Sequence, residues 1–127
     1  MTASARLVLT IIIPLVAAQA VNAKLRLHHL VSDNMVIQQL AEARLWGWDT
    51  PGKKVTVKVS WSAARHTAVA DASGLWQVKV KTLQASHKPL CITFSDGTDR
   101  ITVRNVLAGE VWVCGGQSNM EMPVRGF

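Results

Sequence analysis

Ser118 stands in the segment Cys114-Gly115-Gly116-Gln117-Ser118-Asn119-Met120, directly after the apolar run Val111-Trp112-Val113. A serine placed just past an apolar strand and two glycines has the makings of an exposed nucleophile. Glycine lets the backbone turn tightly and lets a substrate come close. The chemistry on offer is acyl transfer. A serine hydroxyl attacks only when a base takes its proton and a third group orients that base. The tetrahedral intermediate also needs N–H donors aimed at the developing oxyanion. Seven residues follow Met120, so most of that machinery is expected beyond Phe127.

The other chemistry-bearing residues read as structural. His28 and His29 are placed in a first strand, His66 in a strand and His87 in a loop before Pro89, as surface or half-buried histidines. Adjacent His28 and His29 would point to opposite faces of a strand, and no set of His, Cys or acidic residues has metal-ligand spacing. No metal or organic cofactor is implied. Five tryptophans raise the question of sugar stacking. Trp61 and Trp76 fall on the apolar phase of alternating strands and are assigned to the core. Trp46 and Trp48 share one strand face; the core is the preferred assignment, with a sugar platform as the alternative. Cys91 and Cys114 could pair in an oxidising compartment, or bond to a cysteine outside this segment, or pack as small apolar groups.

The elements that must position Ser118 follow from hydrophobic periodicity. Val55-Thr56-Val57-Lys58-Val59-Ser60-Trp61 alternates apolar and polar residues, as does Trp76-Gln77-Val78-Lys79-Val80-Lys81 and, more loosely, Leu90-Cys91-Ile92-Thr93-Phe94. Such alternation predicts strands with one face on a core and one in water. Asp49-Thr50-Pro51-Gly52, Asp71-Ala72-Ser73-Gly74 and Asp96-Gly97 supply turns. Ser32-Asp33-Asn34-Met35 reads as a further turn, capped by its own Asp and Asn side chains. Many short strands without an amphipathic helix predict a mainly β fold, a β-sandwich over residues 24–106. The pattern changes at Val106, and Val111 to Cys114 is continuously apolar, as suits a strand buried on both faces of a parallel sheet. Without partner strands that run would be an exposed apolar liability.

The start of the chain is read as a removable leader. Arg6 gives a positive n-region, Leu7 to Ala18 is apolar except for Thr10, and Val21-Asn22-Ala23 offers small residues for cleavage before Lys24. The run is short for a membrane span of about 20 residues, so no span is expected after its removal. A signal peptide over 1–23 implies the secretory pathway, with an extracellular, lysosomal or periplasmic destination. The net charge of +6, which includes Arg6, raises the question of nucleic acid. Lys54, Lys58, Lys79 and Lys81 mostly alternate with apolar residues, so they are read as solvated strand faces with a lesser part in attracting acidic glycans. No nucleic-acid partner is expected.

Gly109-Glu110-Val111-Trp112-Val113-Cys114-Gly115-Gly116-Gln117-Ser118-Asn119-Met120-Glu121-Met122-Pro123-Val124 resembles the first catalytic block of sialate O-acetylesterases and their bacterial relatives, within the SGNH (GDSL-like) hydrolases. Ser32-Asp33-Asn34-Met35-Val36-Ile37-Gln38-Gln39, Leu45-Trp46-Gly47-Trp48, Pro51-Gly52 and Gly74-Leu75-Trp76 match that family's N-terminal pattern. Gly115 stands where a serine is expected. The resemblance implies a jelly-roll-like N-terminal sandwich followed, over 107–127, by the first strand and nucleophile turn of a truncated α/β hydrolase domain. It makes Ser118 the nucleophile and its backbone N–H one oxyanion donor, with Gly116 and Gln117 shaping the turn. Asn119 matches without a chemical step. The family's Asp-x-x-His, which supplies base and orienter, is not in these residues. The implied activity is hydrolysis of O-acetyl esters of sialic acid or other acetylated sugars through a serine acyl-enzyme, with this segment inactive alone and completed by a C-terminal hydrolase domain. The competing reading is a non-catalytic β-sandwich that binds carbohydrate through Trp46 and Trp48 or serves as an interaction module.

Overall fold

Alternation becomes eight strands in the computed structural model of the chain, which describes residues 23–117 and Met120. They are β1 (Arg26–Leu27), β2 (Val36–Gln38), β3 (Glu42–Trp48), β4 (Lys54–Val59), β5 (Arg65–Val69), β6 (Leu75–Lys81), β7 (Ser86–Ser95) and β8 (Arg100–Gly109). No α-helix occurs among the described residues, so the mainly β expectation holds. The leader expected over 1–23 and the residues Ser118 and Asn119 fall outside the described set, apart from Ala23.

The strands form two sheets, ordered β1-β3-β6 and β2-β8-β7-β4-β5. All pairings are antiparallel except β2 with β8, which run parallel through Val36↔Leu107, Ile37↔Ala108 and Gln38↔Gly109. One buried cluster takes Leu45, Trp76 and Val80 from the smaller sheet and Val55, Val57, Ile92, Phe94, Val103 and Val106 from the larger. Trp76 and Phe94 are its largest fully buried side chains, with ring centroids 5.7 Å apart at 44°. Burying such aromatics is worth about 2–3 kcal/mol each.

Glycine makes room for that centre. Gly47 lies in β3 opposite Trp76. A Cβ there would run into the Arg26 carbonyl and would come within 2.8 Å of the Trp76 ring. The indole therefore occupies the space that Gly47 leaves open. Gly74, at φ +83°, ends the Asp71 turn against the Asp49 carbonyl, and its own carbonyl accepts from Asp49 N–H at 2.9 Å. The Asp71 carboxylate caps the same turn, accepting from the Ser73 and Leu75 amides.

Local departures from the sequence reading have simple causes. β1 ends at Leu27, so His28 and His29 lie in the turn that follows; the Leu30 amide donates to His28 Nδ1 at 3.2 Å. β4 stops at Val59 rather than at Trp61, whose indole N–H instead donates to the Lys81 carbonyl at 2.9 Å. His87 sits inside β7, because the ladder to β8 shifts register on both sides of Leu90. A bulge tolerates Pro89 where a regular ladder would lack its N–H. β8 runs on to Gly109, three residues past the change of pattern at Val106.

Candidate functional site

The approach to Ser118 is set by how β8 ends. β2 is only three residues long, yet it places Gln38 and Gln39 beside the last residue of β8. Gln39 N–H donates to the Gly109 carbonyl at 2.8 Å. The two side-chain amides then converge on Glu110: Gln38 Nε2 donates to Oε2 at 3.0 Å and Gln39 Nε2 to Oε1 at 2.6 Å. Gln38 Oε1 accepts in turn from the Val111 amide at 2.9 Å, and Gln39 Oε1 from the Ala85 amide at 2.8 Å. Hydrogen bonds from Gln38 and then Gln39 hold the Glu110 carboxyl below its ordinary pKa. Thr82 Oγ1 donates to the Gln38 carbonyl at 2.7 Å and ties the clamp to the end of β6.

A second strap lies one turn upstream. Asp33 and Asn34 do cap, but across the fold rather than within their own turn. Asp33 Oδ1 accepts from the Arg104 amide at 2.7 Å, and Asn105 Nδ2 donates to Asn34 Oδ1 at 2.6 Å. Asn34 and Asn105 both have positive φ, 65° and 55°, a conformation asparagine tolerates better than most residues. The Ser32 to Gln39 segment therefore grips β8 and the two residues after it, from Arg104 to Val111. Gln38, Gln39 and Glu110 have no role in the sequence reading, and Asp33 and Asn34 have only that of capping their own turn. The available signal was two adjacent glutamines directly after a short apolar strand.

Beyond the clamp the chain leaves the sheets. Val111, Trp112 and Val113 have no regular structure and are exposed, Trp112 at 83 % and Val113 at 96 %. The apolar run expected as a buried strand is thus unpartnered among the described residues. Gly116 lies against Met120, whose Cγ would be 3.1 Å from a Cβ at Gly116. The Met120 amide donates to the Gln117 carbonyl at 3.0 Å. Ser118, the nucleophile expected from the sequence, and Asn119 lie outside the described residues.

The remaining candidates take definite places. Trp46 and Trp48 are half-buried, on the face of β3 opposite buried Leu45 and Gly47. His28 sits 4.7 Å from Trp46 and 5.8 Å from Trp48 between ring centroids, and the Arg26 guanidinium lies 5.4 Å from the Trp48 ring. His28 thus lies tilted near both indoles, at 33° to Trp46 and 37° to Trp48, and Trp46 also packs against the core. Cys91 and Cys114 are free and exposed, which corrects the reading of either as a buried apolar group. Cys91 falls on the outward phase of β7, between buried Leu90 and Ile92. Among the described residues no cluster of three or more His, Cys, Asp or Glu could hold a metal, and no helix is long and apolar enough to cross a membrane.

Comparison with known proteins agrees with the resemblance read from the Gly-Gly-Gln-Ser-Asn-Met segment. Sialate O-acetylesterase from Homo sapiens is 32% identical over 129 residues, covering 93% of this chain and 24% of that protein. The Mus musculus sialate O-acetylesterase is 34% identical over 103 residues, 74% of this chain and 19% of that protein. Among solved structures, a carbohydrate acetylesterase from Xanthomonas citri superposes with a TM-score of 0.69 at 34% identity, covering 79% of this chain and 22% of that one. No family model matches the chain. The chain spans about a quarter of the length of the curated relatives it matches.

Proposed function

We infer that the chain belongs to the sialate O-acetylesterase family, and on that premise we propose that it carries the nucleophile end of a secreted carbohydrate acetylesterase. The observation that carries this reading is the similarity over 93% of the chain, joined to the clamp of Gln38, Gln39 and Glu110 that fixes where the chain leaves β8. In this reading residues 1–23 are a signal peptide, 24–106 form a jelly-roll-like sandwich, and 107–127 open an SGNH hydrolase domain.

Ser118 Oγ attacks the acetyl carbonyl carbon while a base takes its proton. The Ser118 backbone N–H donates to the oxyanion. Collapse expels the sugar hydroxyl, which takes the proton back from the base. Water then releases acetate from the acyl-serine by the same steps in reverse order. Gly116 and Gln117 hold the turn open to substrate. Base and orienter are assigned to sequence following Phe127, in keeping with the share of the relatives that the chain spans. The 127 residues alone are therefore inactive as an esterase.

Acetate release from O-acetylated N-acetylneuraminic acid and from acetylated xylan tests this. A product extending past Phe127 should hydrolyse at least one of them and lose about a thousandfold or more in kcat on Ser118→Ala. The 127-residue chain should give the background rate. Turnover by the short chain that is lost on Ser118→Ala would overturn its assigned inactivity. Turnover by the longer product that survives the substitution would overturn the nucleophile.

A further inference from the structure

The outward face of the five-stranded sheet carries a charge arrangement that the fold itself does not need. Lys58 on β4 stands directly opposite Arg65 on β5, and Ser95 on β7 directly opposite Arg100 on β8. Thr56 pairs with Ser95 and Lys58 with Thr93 across the β4–β7 ladder, which sets hydroxyls between the cations. These six residues line a shallow groove of about 380 Å³. Four adjacent strands contribute, so the groove crosses roughly 14 Å of sheet.

All three cations are exposed, and no carboxylate lines the groove. Among the described residues the ion pairs are Lys53–Asp96 and Lys79–Glu42, which leave Lys58, Arg65 and Arg100 without an acidic partner. Like charges directly opposite in an antiparallel pair are destabilising. Lys58 and Arg65 therefore work against the sheet that holds them, and an anion lying between them would reverse the sign of that interaction. Guanidinium groups suit a carboxylate in particular, since their planar N–H fork matches its two oxygens.

We propose that this groove binds a carboxylate-bearing oligosaccharide, of uronic or sialic acid units, on the sandwich itself. The cations take the carboxylates, and Thr56, Thr93 and Ser95 meet sugar hydroxyls. A nucleic acid fits less well, because no aromatic ring lines the groove to stack on a base. Binding here involves no step at Ser118, so its failure would leave the esterase reading untouched.

The test is calorimetric titration of the 127-residue chain with tetramers of sialic acid, galacturonic acid and N-acetylglucosamine, and with a short single-stranded DNA. At least one acidic tetramer should bind, more weakly as salt rises. Lys58→Gln/Arg65→Gln/Arg100→Gln should weaken that binding about tenfold or more, while Lys79→Gln on the other sheet leaves it unchanged. Lys58→Gln alone should raise the thermal midpoint of the free protein and lower the gain in midpoint that the acidic tetramer brings. The two acidic tetramers separate sialic from uronic acid as the source of the carboxylate. No binding of either at millimolar concentration would overturn the proposal. So would equal binding of the neutral tetramer, tighter binding of DNA, or a triple variant that binds like the parent.

Discussion

Gln38 and Glu110 hold each other where β2 runs beside the end of β8: Gln38 Nε2 donates to the Glu110 carboxylate at 3.0 Å while its Oε1 accepts from the Val111 amide at 2.9 Å. One side chain thus fixes both the last side chain and the first free amide of the exit toward Ser118. Gln38→Ala should raise hydrogen exchange at Val111 several-fold and leave the thermal midpoint nearly unchanged, since exposed hydrogen bonds contribute about 1 kcal/mol or less. Unaltered exchange at Val111 would mean that the clamp does not hold the segment.

The same clamp should be sensitive to acid. The folded-state pKa of Glu110 is depressed, so its contribution is present above the ordinary value and lost as pH falls through the folded one. The protection factor of the Val111 amide, corrected for intrinsic exchange, should fall as pH drops below the ordinary glutamate value of 4.5. Glu110→Gln should flatten that dependence.

Asp96 makes a second acid-labile contact. Burial pushes its carboxyl pKa up, but hydrogen bonds from Lys53 Nζ at 2.9 Å and from the Asp99 and Thr98 amides outweigh it, and the group is held at about 2. Its stabilisation is complete above the ordinary value of 3.8 and disappears as pH falls toward 2. Because Lys53 is open to solvent, the effect should be on the order of 1 kcal/mol. Asp96→Asn should lower stability at neutral pH and reduce the slope of the acid unfolding curve between these values. An unchanged slope would contradict the assignment.

Two glycines should prove irreplaceable for different reasons. Gly47→Ala drives a methyl group into the Arg26 carbonyl and the Trp76 ring, and should cost about 3 kcal/mol or more by overpacking. Gly74→Ala combines φ +83° with a Cβ only 2.5 Å from the Asp49 carbonyl, for a cost of about 2 kcal/mol. Gly97, also at positive φ, has open space around it. Gly97→Ala should therefore cost less than Gly74→Ala. Denaturant titration of the three variants checks the order.

The exposed run after the clamp should govern self-association. Trp112→Ser together with Val113→Lys should lower light scattering of concentrated solutions with little change in thermal midpoint, because neither side chain is buried. A large fall in the midpoint would show that these side chains support the sandwich.

The strands with clean alternation, β4 and β6, and the three glycine or aspartate turns were legible because each is specified locally. What escaped depended on distant partners. Gln38 and Gln39 have no periodicity, and only the parallel pairing of β2 with β8 brings them to Glu110. The bulge at Leu90 hid the strand through His87 and Pro89. Trp46, assigned by preference to the core, does pack against it, whereas the stacking of His28 near both tryptophans depends on β1 ending at Leu27. The role of Ser118 rests on the likeness of its segment to the acetylesterases.

The most direct test of that role is covalent labelling. A fluorophosphonate loses fluoride when an activated serine Oγ attacks its phosphorus, and peptide mass spectrometry then locates the adduct. A product extending past Phe127 should carry it on Ser118, in the peptide Asn105 to Arg125, with acetate release falling in proportion to labelling. The 127-residue chain should remain unlabelled. An adduct on another serine, or full labelling with undiminished acetate release, would contradict Ser118 as the nucleophile.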